Sequence, residues 1–325
     1  MVGDLSEKSF EEIWNGPMMV KIREQFLRGE NTMCKGQIAE AGCNKLNYDL
    51  LLESNDFSPI QKKMPIRVIP NFDGKCNLRC PTCDHPELKT NAYHSEEFQE
   101  LFFQRILPGV KQLDYYSGEP FVKEFTFELM RKAADIAPQA EWSFNTNGNW
   151  KMTDSMRESL DLINIRWIAF SIDTLDANEY AQLRKYGDLD LCLRALDQLI
   201  EYRRSRMLQG KGYFDIFNNA MFHKENWRAF PDLIKFVNAK GIDITFSFLS
   251  IPDEMSVLNL SEAERIQMLE FFIDSLAAVK INYHAYAVIS CVYHSLPAIE
   301  RVRFSGQIQQ LVRSSAPPRT AESTI

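Results

Sequence analysis

The sequence predicts an α/β protein whose parallel βα units form either an open, partial (β/α)6 barrel or a doubly wound sheet, preceded by a small helical cap. Three observations predict it. Between Met64 and Phe248, short apolar runs alternate with helix-length segments, and parallel strands need a helix-length crossover to join them. The composition, 45% hydrophobic and 25% charged over 325 residues, is globular and sufficient for a substantial core. The residues before Met64 carry helix punctuation instead. Periodicity alone does not separate the barrel from the doubly wound sheet.

The cap opens at Ser9, which forms a capping box with Glu12 ahead of Phe10, Ile13 and Trp14. Gly16-Pro17 ends that helix and starts the next, since proline is tolerated in a first turn. Met19, Ile22 and Phe26 recur at helical spacing, with Gly29 as the expected C-cap. Cys34 and Cys43 fall in a loop-like stretch, and the polar segment 54–63 reads as a linker, so residues 1–60 form the extension and 61–250 the barrel. Strands are expected at 66–69, 112–116, 142–146, 167–172, 213–217 and 242–248. Helices are expected near 95–107, 124–137, 153–162, 189–203 and 227–240. Residues 251–313 read as a C-terminal helical region, notably 261–279, and the polar, Pro-containing tail 314–325 as flexible.

Composition also excludes function classes. No apolar run approaches the ~20 residues that span a bilayer. The start, MVGDLSEKSFEE, is acidic and polar, unlike a secretory signal. The expectation is a cytoplasmic protein with no membrane partner. A net charge of −7 argues against nucleic acid, whose phosphates need a basic footprint. Seven cysteines, three of them within eight residues, are not a secreted disulfide framework; they point to metal or redox chemistry.

The sharpest signal is Cys76-Asn-Leu-Arg-Cys80-Pro-Thr-Cys83, directly after the first expected strand. Three thiolates at this spacing can hold three irons of a cubane iron–sulfur cluster and leave the fourth for an outside ligand. The competing reading is a structural zinc site with His85 as fourth ligand. Cys192, among Leu191, Leu193 and Leu196, reads as a small buried hydrophobe. His94, His223, His284 and His294 lack ligand spacing, and Phe102, Phe103, Phe127 and Phe222 read as core.

CNLRCPTC resembles the CxxxCxxC motif of the radical S-adenosylmethionine (SAM) superfamily, and the similarity runs from about Met64 to Ser250 through further motifs in that family's order. Tyr115-Tyr116-Ser117-Gly118-Glu119-Pro120 resembles its GGE segment, with Ser117 in place of the first glycine. Asn145-Thr146-Asn147-Gly148 ends the third strand as a TNG-like segment does, and Ser171-Ile172-Asp173 ends the fourth. The resemblance implies a partial (β/α)6 barrel of the radical SAM type. It implies a [4Fe–4S] cluster on Cys76, Cys80 and Cys83, and SAM contacts from Gly118, Glu119, Asn147, Ser171, Asp173 and Arg184. It implies reductive cleavage of SAM to a 5′-deoxyadenosyl radical that abstracts hydrogen from a peptide, protein or sugar-like substrate. A one-electron reductant such as flavodoxin or ferredoxin would serve it. Thr82 stands where many members carry an aromatic residue near adenine, so the resemblance does not extend to that contact.

Gly3-Asp4-Leu5 through Ser9-Phe10-Glu11-Glu12-Ile13-Trp14-Asn15 is similar to the GDL…SLEEIWN segment of SPASM or twitch extensions, here in front of the barrel. Cys34 and Cys43 are too few for a second four-thiolate cubane. One cluster is therefore expected, the earlier cysteines of such an extension being either lost or encoded upstream of Met1. The alternative function is a non-catalytic structural metal- or Fe–S-binding interaction protein with a degenerate SAM site.

Overall fold

The computed structural model describes residues 3, 7–30, 57–70, 74–83, 95–116, 118–249 and 253–315. Cys34, Cys43, His85, His94, Ser117 and the tail beyond residue 315 lie outside them, so the expectations placed there do too.

The described residues contain a six-stranded sheet in the order β1-β2-β3-β4-β5-β6. The strands are β1 (Arg67–Val68), β2 (Gln112–Tyr115), β3 (Glu141–Thr146), β4 (Asn164–Phe170), β5 (Asp215–Phe222) and β6 (Asp243–Phe248). Every neighbouring pair is parallel. A doubly wound sheet reverses its strand order at a switch point. Here spatial order equals chain order throughout, so every crossover steps the same way and the helices fall on one face. Among the described residues β1 and β6 are not paired, which leaves a partial barrel.

Burial along β5 alternates accordingly: Ile216, Asn218, Ala220 and Phe222 are buried, while Phe217, Asn219 and Met221 are half-buried. The first set faces the outer core with Leu113, Phe144, Ile168 and Ile244. The parallel register puts Asn145 and Phe217 beside Ala169, and Asn219 beside Thr245, on the opposite, concave face.

Helices follow the expected rhythm: α1 (Phe10–Trp14), α2 (Pro17–Leu27), α3 (Glu96–Glu100), α4 (Glu124–Ile136), α5 (Asp154–Asp161), α6 (Ala177–Leu183), α7 (Leu189–Leu208) and α8 (Phe230–Lys240). The segment expected as one helix over 95–107 leaves α geometry after α3, passing into a π-helix at Leu101–Ile106 and a tight turn at Leu107–Gly109. Helix α6 is an element the sequence reading missed. Its seven residues are capped by Asp176, whose carboxylate accepts from the Asn178 and Glu179 N–H groups. Two strands are displaced from expectation. β4 starts at Asn164 and ends at Phe170, because Ser171 and Ile172 leave the ladder into the site. β5 runs on to Phe222 past the polar pair Asn218-Asn219 that broke its apolar pattern.

Helices α9 (Glu262–Leu276), α10 (Tyr283–His294) and α11 (Ala298–Ser315) build a second core around Phe222, Phe230 and Phe272. Residues 314 and 315, placed in the flexible tail by the sequence reading, are still helical. At the other end, Ser9 and Glu12 form the expected capping box, and Gly29 takes φ +70° after α2. The expected linker is fastened where it is described: Trp14 Nε1 donates to the Lys63 carbonyl at 3.0 Å, and Asn15 exchanges hydrogen bonds with the Gln61 backbone. Arg23 lies 4.3 Å over the Trp14 ring and donates to the Pro59 carbonyl. Among the described residues no helix is long and apolar enough to cross a membrane.

Candidate functional site

The expected site residues gather at the C-terminal ends of the strands, the face where parallel βα barrels place their chemistry. The cysteine loop is held by its own backbone and by two neighbouring loops. Cys83 N–H donates to the Cys80 carbonyl at 3.1 Å, closing the turn. Arg79 N–H donates to the Lys185 carbonyl at 3.0 Å, and the Asn77 side chain to the Asn149 carbonyl at 2.7 Å. Leu78 is the loop's buried anchor, while Cys76 and Cys80 are half-buried and Cys83 is exposed.

Burial pushes the Cys76 and Cys80 thiols up from their ordinary range, against the pull of Leu78 N–H on Cys76 and of Arg184 on Cys80. Metal binding would replace those thiol protons. Among the described residues no three Cys, His, Asp or Glu side chains converge on one ion position. A cubane does not require that, since each iron takes its own thiolate. Three thiols on one loop, two already accepting N–H donors, are a donor set that fits an iron–sulfur cluster.

Gly118 and Glu119 lie across the base of this loop. Gly118 has φ +60°, and a Cβ there would come within 2.2 Å of the Lys75 carbonyl oxygen. Glu119 N–H donates to that same oxygen at 2.9 Å. The Glu119 side chain is fully buried, and both its oxygens are taken by protein donors. Oε1 accepts from the Thr146 hydroxyl at 2.7 Å and Phe121 N–H at 3.2 Å, and Oε2 accepts from Asn147 N–H at 2.6 Å. The Thr146 hydroxyl in turn accepts from Gly148 N–H and Trp150 Nε1. This carboxylate thus ties the end of β2 to the end of β3.

Burial raises the Glu119 pKa from 4.5 to about 7, and the three donors pull against it. The sign follows from linkage. Below 4.5 both folded and unfolded forms carry the proton and the contribution to stability is full. Between 4.5 and about 7 the unfolded chain releases its proton first, so that contribution declines as pH rises, and above 7 it is flat. Glu119→Gln should remove this slope. Denaturant midpoints of the two proteins should therefore draw together from pH 4.5 to about 7 and run parallel above it. Profiles parallel throughout would show that Glu119 does not titrate in that window.

Asn147 is a hub. Its Oδ1 accepts from Asn149 N–H at 2.8 Å, and its Nδ2 donates to Asn77 Oδ1 at 2.9 Å and reaches Cys76 Sγ at 3.5 Å. Asn149 extends the network to the Tyr180 hydroxyl at 2.8 Å and to Asp188 N–H at 2.6 Å. Gly148 at φ +72° lets the chain pass where a Cβ would meet Cys192 Sγ at 2.6 Å and the Phe170 ring at 2.9 Å. Cys192 is wholly buried, as expected, and burial pushes its thiol to about 12.

Asp173 and Arg184 are brought together rather than left open. Arg184 forks onto Asp173 Oδ2 from Nε at 2.9 Å and Nη2 at 2.7 Å, while Nη1 points toward Cys80 Sγ at 4.0 Å. Asp173 Oδ1 accepts from Met221 N–H at 2.8 Å. Ser171 is half-buried, and its N–H donates to the Thr146 carbonyl.

The residues that hold this loop escaped the sequence reading. Asn218 pairs with both the N–H and the carbonyl of Ile172, at 2.9 and 2.8 Å. Asn226 donates to the Asp173 and Met221 carbonyls. A signal for Asn218 existed: it is the amide on the otherwise apolar face of β5. His223, just past β5, is buried, which lowers its pKa.

No family model matches the chain. It is similar to curated proteins named GTP 3',8-cyclase. That of Mesorhizobium japonicum is 26% identical over 178 residues, covering 53% of this chain and 50% of its own length. That of Marinobacter nauticus is 25% identical over 196 residues, covering 59% and 54%. The chain spans about half the length of the curated relatives it matches. Among solved structures it is similar to Streptococcus suis SuiB bound to S-adenosylmethionine, with TM-score 0.45, 15% identity, and 83% and 60% of the two chains covered. Native anSMEcpe with bound AdoMet and the Cp18Cys peptide gives TM-score 0.46, 18% identity, and 64% and 58% covered. These comparisons do not show the SPASM-like reading of residues 3–15. The resemblance to radical SAM enzymes read from the cysteine loop is the part that these relatives bear out.

Proposed function

We propose that this chain is a radical SAM enzyme. The observation that carries the reading is the three-thiol loop at the C-terminal end of β1, locked by Gly118, Glu119 and Asn147 to the ends of β2 and β3. A [4Fe–4S] cluster on Cys76, Cys80 and Cys83 would supply the electron that cleaves SAM to methionine and a 5′-deoxyadenosyl radical. The chain's residues do the positioning. Glu119 holds the half-buried Gly118 backbone beside the cysteine loop, where it can receive the methionyl end of SAM. Ser171 and the Asp173–Arg184 pair, fixed by Asn218 and Asn226, bring further polar groups to the Cys80 side of the loop. The concave face carries Trp167, with Tyr116 stacked at 5.6 Å and Phe217 at 5.1 Å, and beyond them Asn219 and Thr245. A substrate C–H would be presented from this face, with water displaced by the aromatic rings. The substrate class is a peptide, a protein side chain or a sugar-like molecule, and the electron comes from a flavodoxin- or ferredoxin-type reductant.

The test is anaerobic. Protein reconstituted with iron and sulfide should hold about four of each. After dithionite reduction it should convert SAM to 5′-deoxyadenosine and methionine. Stoichiometric zinc, with no SAM cleavage under the same conditions, would instead assign the loop to a structural metal site.

A further inference from the structure

We infer that Asn147 sets the reduction potential of the cluster, by donating a hydrogen bond from its side-chain amide to the sulfur of Cys76. The inference rests on the radical SAM reading and goes beyond it, since it gives Asn147 a role toward the iron ligand rather than toward SAM. Two N–H groups point at this sulfur: Leu78 N–H at 3.4 Å and Asn147 Nδ2 at 3.5 Å. The first belongs to the loop itself. The second comes from the end of β3, seventy-one residues away along the chain.

The amide is oriented by its other partners. Oδ1 accepts from Asn149 N–H, so the NH2 group is the end that faces Cys76 Sγ and Asn77 Oδ1. A flipped amide would set oxygen against oxygen at Asn77 and nitrogen against the Asn149 donor. The residue cannot back away either. Its N–H is bound to Glu119, and the following Gly148 is wedged over Cys192 and Phe170. Asn147 is buried, at 7% exposure, so water does not substitute readily for its amide.

Reduction adds one electron, here from dithionite, and no bond to the protein breaks. The added negative charge is shared with the thiolate sulfurs, so an N–H donor stabilises the reduced cluster more than the oxidised one and raises the potential. Arg184 acts on Cys80 in the same sense, but its charge is already offset by Asp173. Asn147 is therefore the positioning residue on the Cys76 side: remove its donor and the cluster becomes harder to reduce.

The experiment is a redox titration of the reconstituted full chain, followed by the electron paramagnetic resonance of the reduced cluster, without SAM. Asn147→Ser keeps a short hydroxyl for Asn149 N–H but cannot reach the sulfur. Asn147→Asp keeps the shape and replaces the donor by a charged acceptor. At the wild-type midpoint, the reduced-to-oxidised ratio should fall roughly three- to tenfold in Asn147→Ser, tenfold being 59 mV for one electron. It should fall further in Asn147→Asp. Both variants holding wild-type iron at an unchanged midpoint would overturn the inference. So would variants that keep a native circular dichroism spectrum yet retain no iron, because Asn147 would then serve assembly and not potential. Failure of the underlying reading looks different: the wild type itself would take up zinc and show no reducible cluster.

Discussion

Replacing Cys76, Cys80 and Cys83 together by alanine should leave a folded protein that retains no cluster iron and forms no 5′-deoxyadenosine. A methyl group cannot replace a thiolate ligand, so three irons of the proposed cluster would lose their protein attachment at once. The fold should survive, because the loop's contribution to the core is Leu78 and not the sulfurs, which are half-buried or exposed. Loss of Cys76 forfeits only weak N–H···S contacts at 3.4 and 3.5 Å. The expected change in unfolding free energy is about 1 kcal/mol, in the range of substitutions outside the core. Iron and sulfide analysis, the visible absorption of the reconstituted protein and chromatography of the dithionite-reduced reaction read the effect. Thermal unfolding confirms the fold. SAM cleavage at the wild-type rate by the triple variant would remove the cysteine loop from the chemistry.

What the sequence disclosed, and what it did not, follows from the range of the interactions. The βα rhythm is local, so five helices and six strands could be placed from it, and the Ser9–Glu12 box was legible because both partners lie within one turn. Strand order was not legible, and neither was the choice between barrel and doubly wound sheet, since those depend on which way each crossover turns. The motif residues could be proposed because the cysteine spacing gave their order a meaning. Their partners could not. Asn77, Asn149, Asn218 and Asn226 are ordinary loop or strand amides in one dimension, and their roles arise from contacts across 31 to 72 residues of chain. Asp173 and Arg184 were expected to face a ligand, and their mutual ion pair at 2.7 Å could be seen only in three dimensions. The same holds for Glu119: Phe121 N–H lies two residues on, but the Thr146 hydroxyl and Asn147 N–H reach it from the end of β3.

Gly118→Ala should be the most damaging change of a single small residue near the site, although it adds one methyl group. The segment that resembles the GGE motif has serine at its first position and glycine at its second, and the geometry says why the second demands glycine. Gly118 is in the left-handed region at φ +60°, where an L-residue costs about 1–2 kcal/mol. The added Cβ would also lie 2.2 Å from the Lys75 oxygen and 2.8 Å from the Gly74 carbonyl carbon. Both neighbours are backbone, so no rotamer change relieves the clash, and overpacking of this kind costs a further ~1–3 kcal/mol. The segment that must yield is 74–75, which leads into Cys76 and accepts the Glu119 N–H. Alanine at 118 should therefore lower stability by roughly 2–5 kcal/mol and also lower the iron retained after reconstitution. Gly29→Ala separates the two causes. It has the same left-handed backbone, φ +70°, but nothing within 4 Å of the new Cβ, so it should cost only the backbone strain and leave iron content unchanged. Equal losses of stability in the two variants, with full iron in both, would mean that the turn at Gly118 does not brace the cysteine loop.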